Sequence, residues 1–502
     1  MNPAEQRKIQ HLYHRAGFGI SISELTKIEN RSLESIVNSI FSFSKYYTDL
    51  SIDYGDHAGS YKMKKDEKDK LTKEQKEKIN KDFRDDIVKL NVKWINKLAN
   101  DSAQLREKMT LFWHGHFACK SQVPMFNQNQ NNTLRKFALG KFGDLLMAVS
   151  KDPAMLQFLN NQQNRKKSPN ENFARELMEL FTLGQGNYTE EDIKNSARAF
   201  TGWGFNEEGE FVFRENQHDD GEKIFMGKKG KFSGEDIIKM ILENKKTAEF
   251  ITNKIYKFFV NENEIDKEAV KVLADDFYES GYDIEKLMKD IFTSDEFYDD
   301  RNIGAKIKSP AELISGMMHV FNVKFENDLP VLFMEKSMGQ TLLSPPNVAG
   351  WPGGRNWIDT SSLMFRMKLP EVLFKSSELE FTFKDMPMEK EIMKQVSMDE
   401  NMKESMTQSI NKEKKKKDDK NAKERKIFKQ VKTSIDLPPY FTAFGKYDKE
   451  ELVNNLSEFV LQKNINTKTK RLALTYSDIS SKENLIESLI MRLMSLPEYQ
   501  LC

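Results

Sequence analysis

The sequence has only two cysteines, Cys119 and Cys502, among its 502 residues. Two thiols cannot build a disulfide scaffold or a cysteine-based zinc module. No apolar run approaches the roughly 20 residues that span a bilayer, and the N-terminal segment lacks the apolar stretch of a secretory signal. These absences predict a cytoplasmic protein without a membrane span.

Charge of a single sign is also lacking, since 78 Lys and Arg face 77 Asp and Glu and give a formal net charge of +1. A balanced chain has no overall field that attracts nucleic acid, so we expect no nucleic-acid partner. The basic excess lies in two Lys-rich runs, 62–81 and 412–426, which carry +4 and +5. The rest of the chain carries about −8 and is mildly acidic.

Apolar residues recur at helical spacing along most of the chain. They predict a mainly α fold, a multi-helix orthogonal or bundle-like body with long loops structured by Gly and Pro. Glycines between alternating segments predict a small β-hairpin excursion near 203–232. We expect a helical core domain at 1–375 with the run 62–81 as a charged insertion. A Lys/Met-rich linker at 376–435 and a C-terminal helical segment at 436–502, packed on the core, would follow.

Two local patterns make sharper predictions. Asn and Gln crowd positions 127–132, which favours a loop. Ser168, Pro169 and Glu171 have the spacing of a helix start, in which a serine cap precedes a proline and a capping-box glutamate. The pattern predicts a helix over 168–184.

His114 and His116 are the first candidate site, because neutral imidazole is the commonest metal ligand in proteins. An extended His-x-His segment directs both rings to one side. The pair could therefore share a divalent metal if the preceding helix ends near Gly115. In a continuing helix the rings would lie about 200° apart and could not share a metal. The alternative is one helix-terminal histidine and one packed beside Phe117.

Glu176 is the second candidate, at the margin of the apolar stripe of the predicted helix. A carboxylate half-turned to the core needs an arginine, a metal or a histidine as its partner. Arg198, Arg135 and His116 are the candidate partners, and Arg198 is also a candidate for substrate binding. A catalytic carboxylate and a buried structural ion pair remain as alternatives.

His218 and Asp219 lie on a Gly-bounded loop, where either could act as a general base or a metal ligand. Ordinary solvated turns have the same composition. Trp203 and Trp351 stand beside rigid Gly/Pro backbone and, together with Asn347, could wall a substrate pocket. The alternative is that these tryptophans lock loops onto the helical body.

Six ordered blocks of the sequence resemble a bacterial family catalogued as domain of unknown function 1800. The blocks are His11 to Gly19, Phe112 to Phe117, Asn170 to Gly184, Ala199 to Trp203, His218 to Lys223 and Pro345 to Trp357. The resemblance implies a mostly helical fold and no established activity. It also implies a candidate partner, a sulfatase-like protein of a co-encoded family, and export of some relatives.

Three functions are compatible with these patterns, and they leave open whether the protein is an enzyme. The leading hypothesis is a metal-assisted hydrolase, in which the histidine and carboxylate candidates converge on a metal-bound water. The second is a non-catalytic binding or assembly protein that docks the sulfatase-like partner. The third is a carbohydrate-binding module that uses exposed rings of Trp351 and Trp357.

Overall fold

The structure is a computed structural model that describes residues 2–63, 65–327, 329–376, 379–382, 425–428 and 431–502. The predicted linker 376–435 lies largely outside the described residues, as does most of the Lys-rich run 412–426. The prediction of a mainly α fold is confirmed.

The first part of the chain forms helices that start mostly at side-chain caps, because a cap oxygen accepts an otherwise free backbone N–H. Asn2, Ser21, Ser32, Thr72 and Asp152 serve as such caps. The helices are α1 (Pro3–Ala16), α2 (Ile22–Ile28), α3 (Leu33–Phe43), α4 (Lys65–Asp69), α5 (Lys73–Asn100), α6 (Gln104–His116), α7 (Pro124–Phe137), α8 (Phe142–Ser150) and α9 (Pro153–Phe158).

The second part is also helical and includes one π-helical segment, Leu177–Thr182, which continues directly from α10. Its helices are α10 (Asn172–Glu176), α11 (Glu190–Ala199), α12 (Gly234–Glu243), α13 (Lys245–Phe259), α14 (Lys267–Glu279), α15 (Ile284–Thr293), α16 (Pro310–Val320), α17 (Leu329–Met338), α18 (Thr360–Lys375), α19 (Pro438–Phe444), α20 (Lys449–Val460), α21 (Thr467–Thr475) and α22 (Lys482–Met494).

The predicted excursion at 203–232 is confirmed and consists of two antiparallel hairpins. In the first, β1 (Trp203–Phe205) pairs with β2 (Phe211–Phe213), and in the second, β3 (Lys223–Phe225) pairs with β4 (Lys228–Gly230). Two further antiparallel pairs join distant segments of the chain. They are β5 (Lys324–Phe325) with β8 (Thr433–Ser434), and β6 (Leu379–Thr382) with β7 (Arg425–Phe428).

One continuous hydrophobic core joins both ends of the described chain. It includes Ile9 and Leu12 of α1 as well as Leu485 and Leu489 of α22. Helix α22 contacts α18 and α20, and α1 contacts α6 and α20. The helices near the two ends of the chain therefore pack on the same body that carries α6.

Helix α6 lies at the centre of this body, and its residues from Leu105 to His116 are buried except Gly115. It nevertheless carries the consecutive charges Arg106, Glu107 and Lys108. The Glu107 carboxylate accepts hydrogen bonds from Nε and Nη2 of Arg135 at 2.5 and 3.0 Å. The indole N–H of Trp94 donates to the same carboxylate at 3.2 Å. Neither side chain of this bidentate pair is exposed to solvent. The pair fixes α6 against α7, and the bond from Trp94 fixes α6 against α5.

The expected loop at 127–132 is wrong, because α7 runs through it. The amide side chains there make tertiary contacts in place of local turns. Asn132 exchanges two hydrogen bonds with the backbone of Leu50, at 2.8 and 2.9 Å, and Asn127 donates to the Ser121 carbonyl at 2.8 Å. Partners distant in sequence offset the intrinsic turn preference of these residues.

The predicted helix over 168–184 also needs correction. Ser168 forms an isolated β-bridge with Arg165, and the helix begins at Asn172. The side chain of Asn170 accepts the Asn172 N–H at 3.0 Å, which replaces the predicted serine cap. The end of the segment agrees with the prediction, since Gly184 has a positive φ of 76°.

We predict that Arg135→Met lowers the free energy of unfolding by about 3 kcal/mol. It removes the bidentate partner of the buried Glu107 carboxylate and leaves only Lys97, whose Nζ lies 3.9 Å from Oε1. Denaturant unfolding followed by far-UV circular dichroism measures the change. Arg175→Ala is the control, because Arg175 pairs with Glu171 and Glu190 at the surface, and its loss should leave stability almost unchanged. Equal effects of the two substitutions would contradict the role assigned to the buried pair.

Candidate functional site

His114 is buried on the side of α6 that faces α5 and the segment after α17. Its Nε2 accepts the backbone N–H of Leu343 at 3.1 Å, so the ring proton lies on Nδ1. The ring stands edge-on to Trp94, with centroids 5.0 Å apart, and lies 5.4 Å from the ring of Trp351. Burial lowers the pKa of His114 to about 3, which keeps the imidazole neutral.

His116 contacts a different part of the molecule. Its Nε2 donates to the carbonyl of Phe181 at 3.1 Å, and its Nδ1 accepts from Nζ of Lys254 at 3.2 Å. Lys254 also donates to the carbonyl of Leu180 at 3.0 Å, and burial lowers its pKa to about 8. Both side chains therefore bind carbonyls of the π-helical segment, where the regular α-helical pattern is interrupted.

The two histidines do not face a common point, because α6 continues through Gly115 to His116 and directs the rings to different sides. Nε2 of His114 and both ring nitrogens of His116 form hydrogen bonds with protein groups. Among the described residues there is no group of three His, Cys, Asp or Glu side chains that could hold a metal ion. His114 and His116, the pair predicted from the sequence, are therefore poorly placed to share a metal ion.

Glu176 ends α10 and is half-buried. Burial and the neighbouring Glu179 raise its pKa above the ordinary value. The partners proposed from the sequence are engaged elsewhere, since Arg135 binds Glu107 and Arg198 binds Asp219. The structure does not bring Glu176 together with His114 or His218 through any hydrogen bond that it shows.

Arg198 and Asp219 form a bidentate pair, with Nε and Nη2 donating to the carboxylate at 2.7 and 3.2 Å. This contact lowers the pKa of Asp219 below its ordinary value. His218 is buried, and its Nδ1 lies 2.9 Å from the carbonyl of Thr201. The Thr201 hydroxyl in turn accepts the Asp219 N–H at 2.8 Å. These contacts tie the loop to the C-terminal end of α11.

Trp203 is buried, with its ring edge-on to Phe200 and Phe211 at centroid distances of 5.0 and 5.1 Å. The ammonium of Lys151 lies 5.3 Å from the indole. The residue packs the first hairpin against the helical body, in agreement with the alternative that the sequence left open.

The Pro/Gly-rich loop 343–357 packs closely on α6. Gly350 has a φ of 77°, and a Cβ placed there would lie 2.4 Å from the carbonyl oxygen of Gly115. Trp351 is half-buried beside His114, whereas Asn347 is exposed and its side chain accepts the Ala349 N–H at 2.9 Å. Trp357 is 8% exposed, so its ring is not a surface platform for a sugar.

Glu335 anchors the start of this loop and was not singled out by the sequence. Its Oε1 accepts the N–H of Leu342 at 3.3 Å, and the side-chain amide of Asn91 donates to the Leu342 carbonyl at 3.0 Å. Burial raises the pKa of Glu335 to about 8. Glu335, Asn91 and His114 together hold the backbone of residues 342 and 343, a role that no local pattern indicates.

An open cleft of about 400 Å³ lies beside the first hairpin, where the sequence did not predict a site. The 160–168 segment and the turn after β2 meet there, since the Lys166 N–H donates to the Gln217 carbonyl at 2.8 Å. The lining side chains are two arginines, two glutamines and one phenylalanine: Gln162, Arg165, Phe205, Arg214 and Gln217.

Arg214 folds back across β1 because Gly204 leaves room for it. A Cβ at position 204 would lie 1.8 Å from Nη1 of Arg214, whose Nη2 donates to the carbonyl of Phe205 at 3.0 Å. Within the part of the chain that the structure describes, neither Arg214 nor Arg165 forms an ion pair with a carboxylate. The cleft therefore presents two guanidinium groups that lack a protein anion.

A family model described as a protein of unknown function, DUF1800, matches residues 11–501. The chain belongs to this family. The match extends over nearly all described elements of this DUF1800 protein, from α1 to the C-terminal residues, and so confirms the resemblance seen in the sequence blocks. No curated protein matches the chain. No solved structure matches it either.

None of the helices in the described residues of this DUF1800 protein is both long and apolar enough to cross a membrane.

We predict that Gly350→Ala destabilises the protein more than Gly227→Ala, a substitution in the turn between β3 and β4. The two glycines have φ of 77° and 76°, which costs an alanine about 1–2 kcal/mol, but only position 350 adds a collision with the Gly115 carbonyl. A Cβ at position 227 meets nothing within 4 Å. Thermal unfolding followed by tryptophan fluorescence compares the variants, and equal losses would contradict tight packing of the loop on α6.

Proposed function

We propose that this protein is a non-catalytic binding protein whose arginine cleft binds an anionic sugar, that is, a sugar bearing a carboxylate, sulfate or phosphate group. The observation that carries the proposal is the cleft itself, in which Arg165 and Arg214 have no carboxylate partner among the residues that the structure describes. Guanidinium groups bind planar and tetrahedral oxyanions through paired, charge-assisted hydrogen bonds. An anionic group on a ligand would accept such hydrogen bonds from both guanidinium groups.

The other lining residues support a sugar as the rest of the ligand. Gln162 and Gln217 offer amides that can both donate to and accept from hydroxyl groups. The half-exposed ring of Phe205 can pack on the apolar face of a sugar ring. A volume of about 400 Å³ lies within the range of small-molecule sites.

Binding is favoured over catalysis because of what the cleft contains. Arginine stays protonated at physiological pH, and the side chains of glutamine and phenylalanine do not titrate. None of these five side chains can act as a general acid or base near neutral pH. Among the sequence candidates, His218 and Asp219 already hold Thr201 and Arg198, and they are not part of the lining.

Calorimetric titration with glucuronate, glucose 6-sulfate and glucose tests the proposal. We expect binding of at least one anionic sugar and no comparable binding of glucose. Arg165→Met and Arg214→Met should each weaken binding about tenfold or more, since each removes charge-assisted hydrogen bonds. Lys166→Met is the matched control, because Lys166 is an exposed neighbouring cation outside the cleft and should have little effect.

Two results would contradict this function. One is equal affinity for glucose and the anionic sugars, or no binding of any of them. The other is a stoichiometric transition metal in the purified protein that is lost in His116→Ala, which would favour metal-assisted hydrolysis instead. Metal analysis of both samples therefore accompanies the titration.

A binding protein leaves any chemistry to a partner, and the family resemblance supplies a candidate, the sulfatase-like protein of a co-encoded family. We propose this association on that resemblance alone. Co-purification of the two proteins tests it, with Arg214→Met and the double variant of His114 and His116 to alanine as comparisons. Unaltered co-purification after the histidine substitutions would favour assembly over a catalytic role for those rings.

A further inference from the structure

Five cationic side chains are buried around a single buried carboxylate, that of Glu312 in α16. Oε1 of Glu312 lies 2.7 Å from Nζ of Lys108 and 2.6 Å from Nζ of Lys306. Burial lowers the pKa of the other three cations, and the Glu312 carboxylate opposes this shift in each of them, which places them within its electrostatic range. Between 1% and 5% of each cation is exposed, and the five are Arg15, Lys108, Lys306, Lys308 and Arg366.

The negative groups near this cluster are fewer than the cations. Besides Glu312, two residues oppose the lowering of these pKa values by burial. The half-buried Glu262 does so for Arg15, and Cys502 does so for Arg15, Lys108 and Lys308. Three negative groups thus face five positive ones. Uncompensated charge in the interior is strongly unfavourable, so the excess favours either loss of a proton from a lysine, as the burial-lowered pKa of about 8 for Lys308 indicates, or a bound counter-ion.

The guanidinium groups of the cluster are also short of acceptors. Arg15 donates through Nη2 to the carbonyl of Asn302 at 3.0 Å, while its Nε and Nη1 are buried without a partner among the described residues. Arg366 donates through Nη1 to the carbonyl of Lys308 at 2.9 Å, and its Nε and Nη2 likewise have no partner in the described part of the chain. Buried donors without acceptors are uncommon in folded proteins, so the cluster is short of acceptors as well as of negative charge, although neither arginine lines the cavity beside it.

A small interior cavity lies next to the cluster, between α1, α16 and α20. Its polar lining includes Lys308, His14 and Gln10, and Phe18 and Gly316 contribute to the rest of its wall. Its volume of about 20 Å³ exceeds the roughly 10–15 Å³ that one water needs, which leaves room for a small ion.

Lys308 and His14 both have donors available to this cavity. Nζ of Lys308 donates to the carbonyl of Tyr499 at 2.8 Å and carries two further N–H groups. The ring of His14 has no hydrogen bond to any described residue, and burial near Lys308 and Lys108 lowers its pKa, which keeps it neutral with one N–H. The two side chains supply an ammonium and a ring N–H to the same cavity.

We propose that this cavity binds one monovalent anion of about the size of chloride, held by Lys308 and His14. The anion supplies one of the two negative charges that the cluster lacks, and it accepts hydrogen bonds from Nζ of Lys308 and from the ring N–H of His14. The site is separate from the arginine cleft, whose lining residues it does not share.

Thermal unfolding of the full chain at constant ionic strength tests the site, with sodium chloride replacing sodium gluconate in steps. A specific anion that binds only the folded state raises the Tm in a saturable manner. We expect a rise of a few degrees that is absent in Lys308→Met. Lys446→Met removes an exposed cation and should retain the rise, as should Arg214→Met of the cleft.

A second measurement uses the unsubstituted protein, in case Lys308→Met does not fold. Chloride bound in the cavity should broaden the ³⁵Cl resonance beyond the value for unfolded protein, and bromide should compete for the site. No chloride-dependent change in Tm together with no excess line width would overturn the proposal. Loss of the chloride effect in Arg214→Met would also overturn it, because the anion would then bind in the cleft.

Discussion

Three consecutive charges on a buried helix set the arrangement of this fold. Successive residues of an α-helix point about 100° apart, so Arg106, Glu107 and Lys108 need partners on three sides of α6. Arg106 donates to the carbonyls of Ser44 and Arg135 at 2.6 and 2.7 Å. Glu107 forms an ion pair with the Arg135 guanidinium, and Lys108 forms an ion pair with the carboxylate of Glu312. Neither the rotation of α6 nor its position along the axis can change without leaving a charge unpaired.

This fixed rotation also determines the environments of the histidines at the end of α6. His114 receives the Leu343 N–H, which holds the Pro/Gly-rich loop, and His116 binds the carbonyl of Phe181, which holds the π-helical segment. Each ring therefore joins α6 to a segment that has no regular helical hydrogen bonds at that point. Backbone groups without such bonds need side-chain partners, and these histidines supply them.

The sequence predicts what depends on local periodicity and on capping. Helical spacing gives the mainly α fold, the glycines near 203–232 give the hairpins, and Gly184 gives the end of the helix predicted over 168–184. It does not predict what depends on distant partners. Asn132 lies within a helix because its side chain forms two hydrogen bonds with the backbone of Leu50 and not with its own turn. The cleft of Arg165 and Arg214 exists only after residues 160–168 meet the hairpin, so no short pattern contains it.

The distribution of charge links the two proposed anion sites. Outside the Lys-rich runs the chain is acidic by about −8, yet the core holds more buried cations than buried carboxylates. The two Lys-rich runs bring the chain back to a net charge of +1, so the molecule as a whole has no strong long-range field toward an anion. Physiological salt also screens the fields of exposed charges beyond about 8 Å. An anion that reaches the cleft is thus bound by the short-range fork geometry of Arg165 and Arg214 and gains nothing from attraction by the whole molecule.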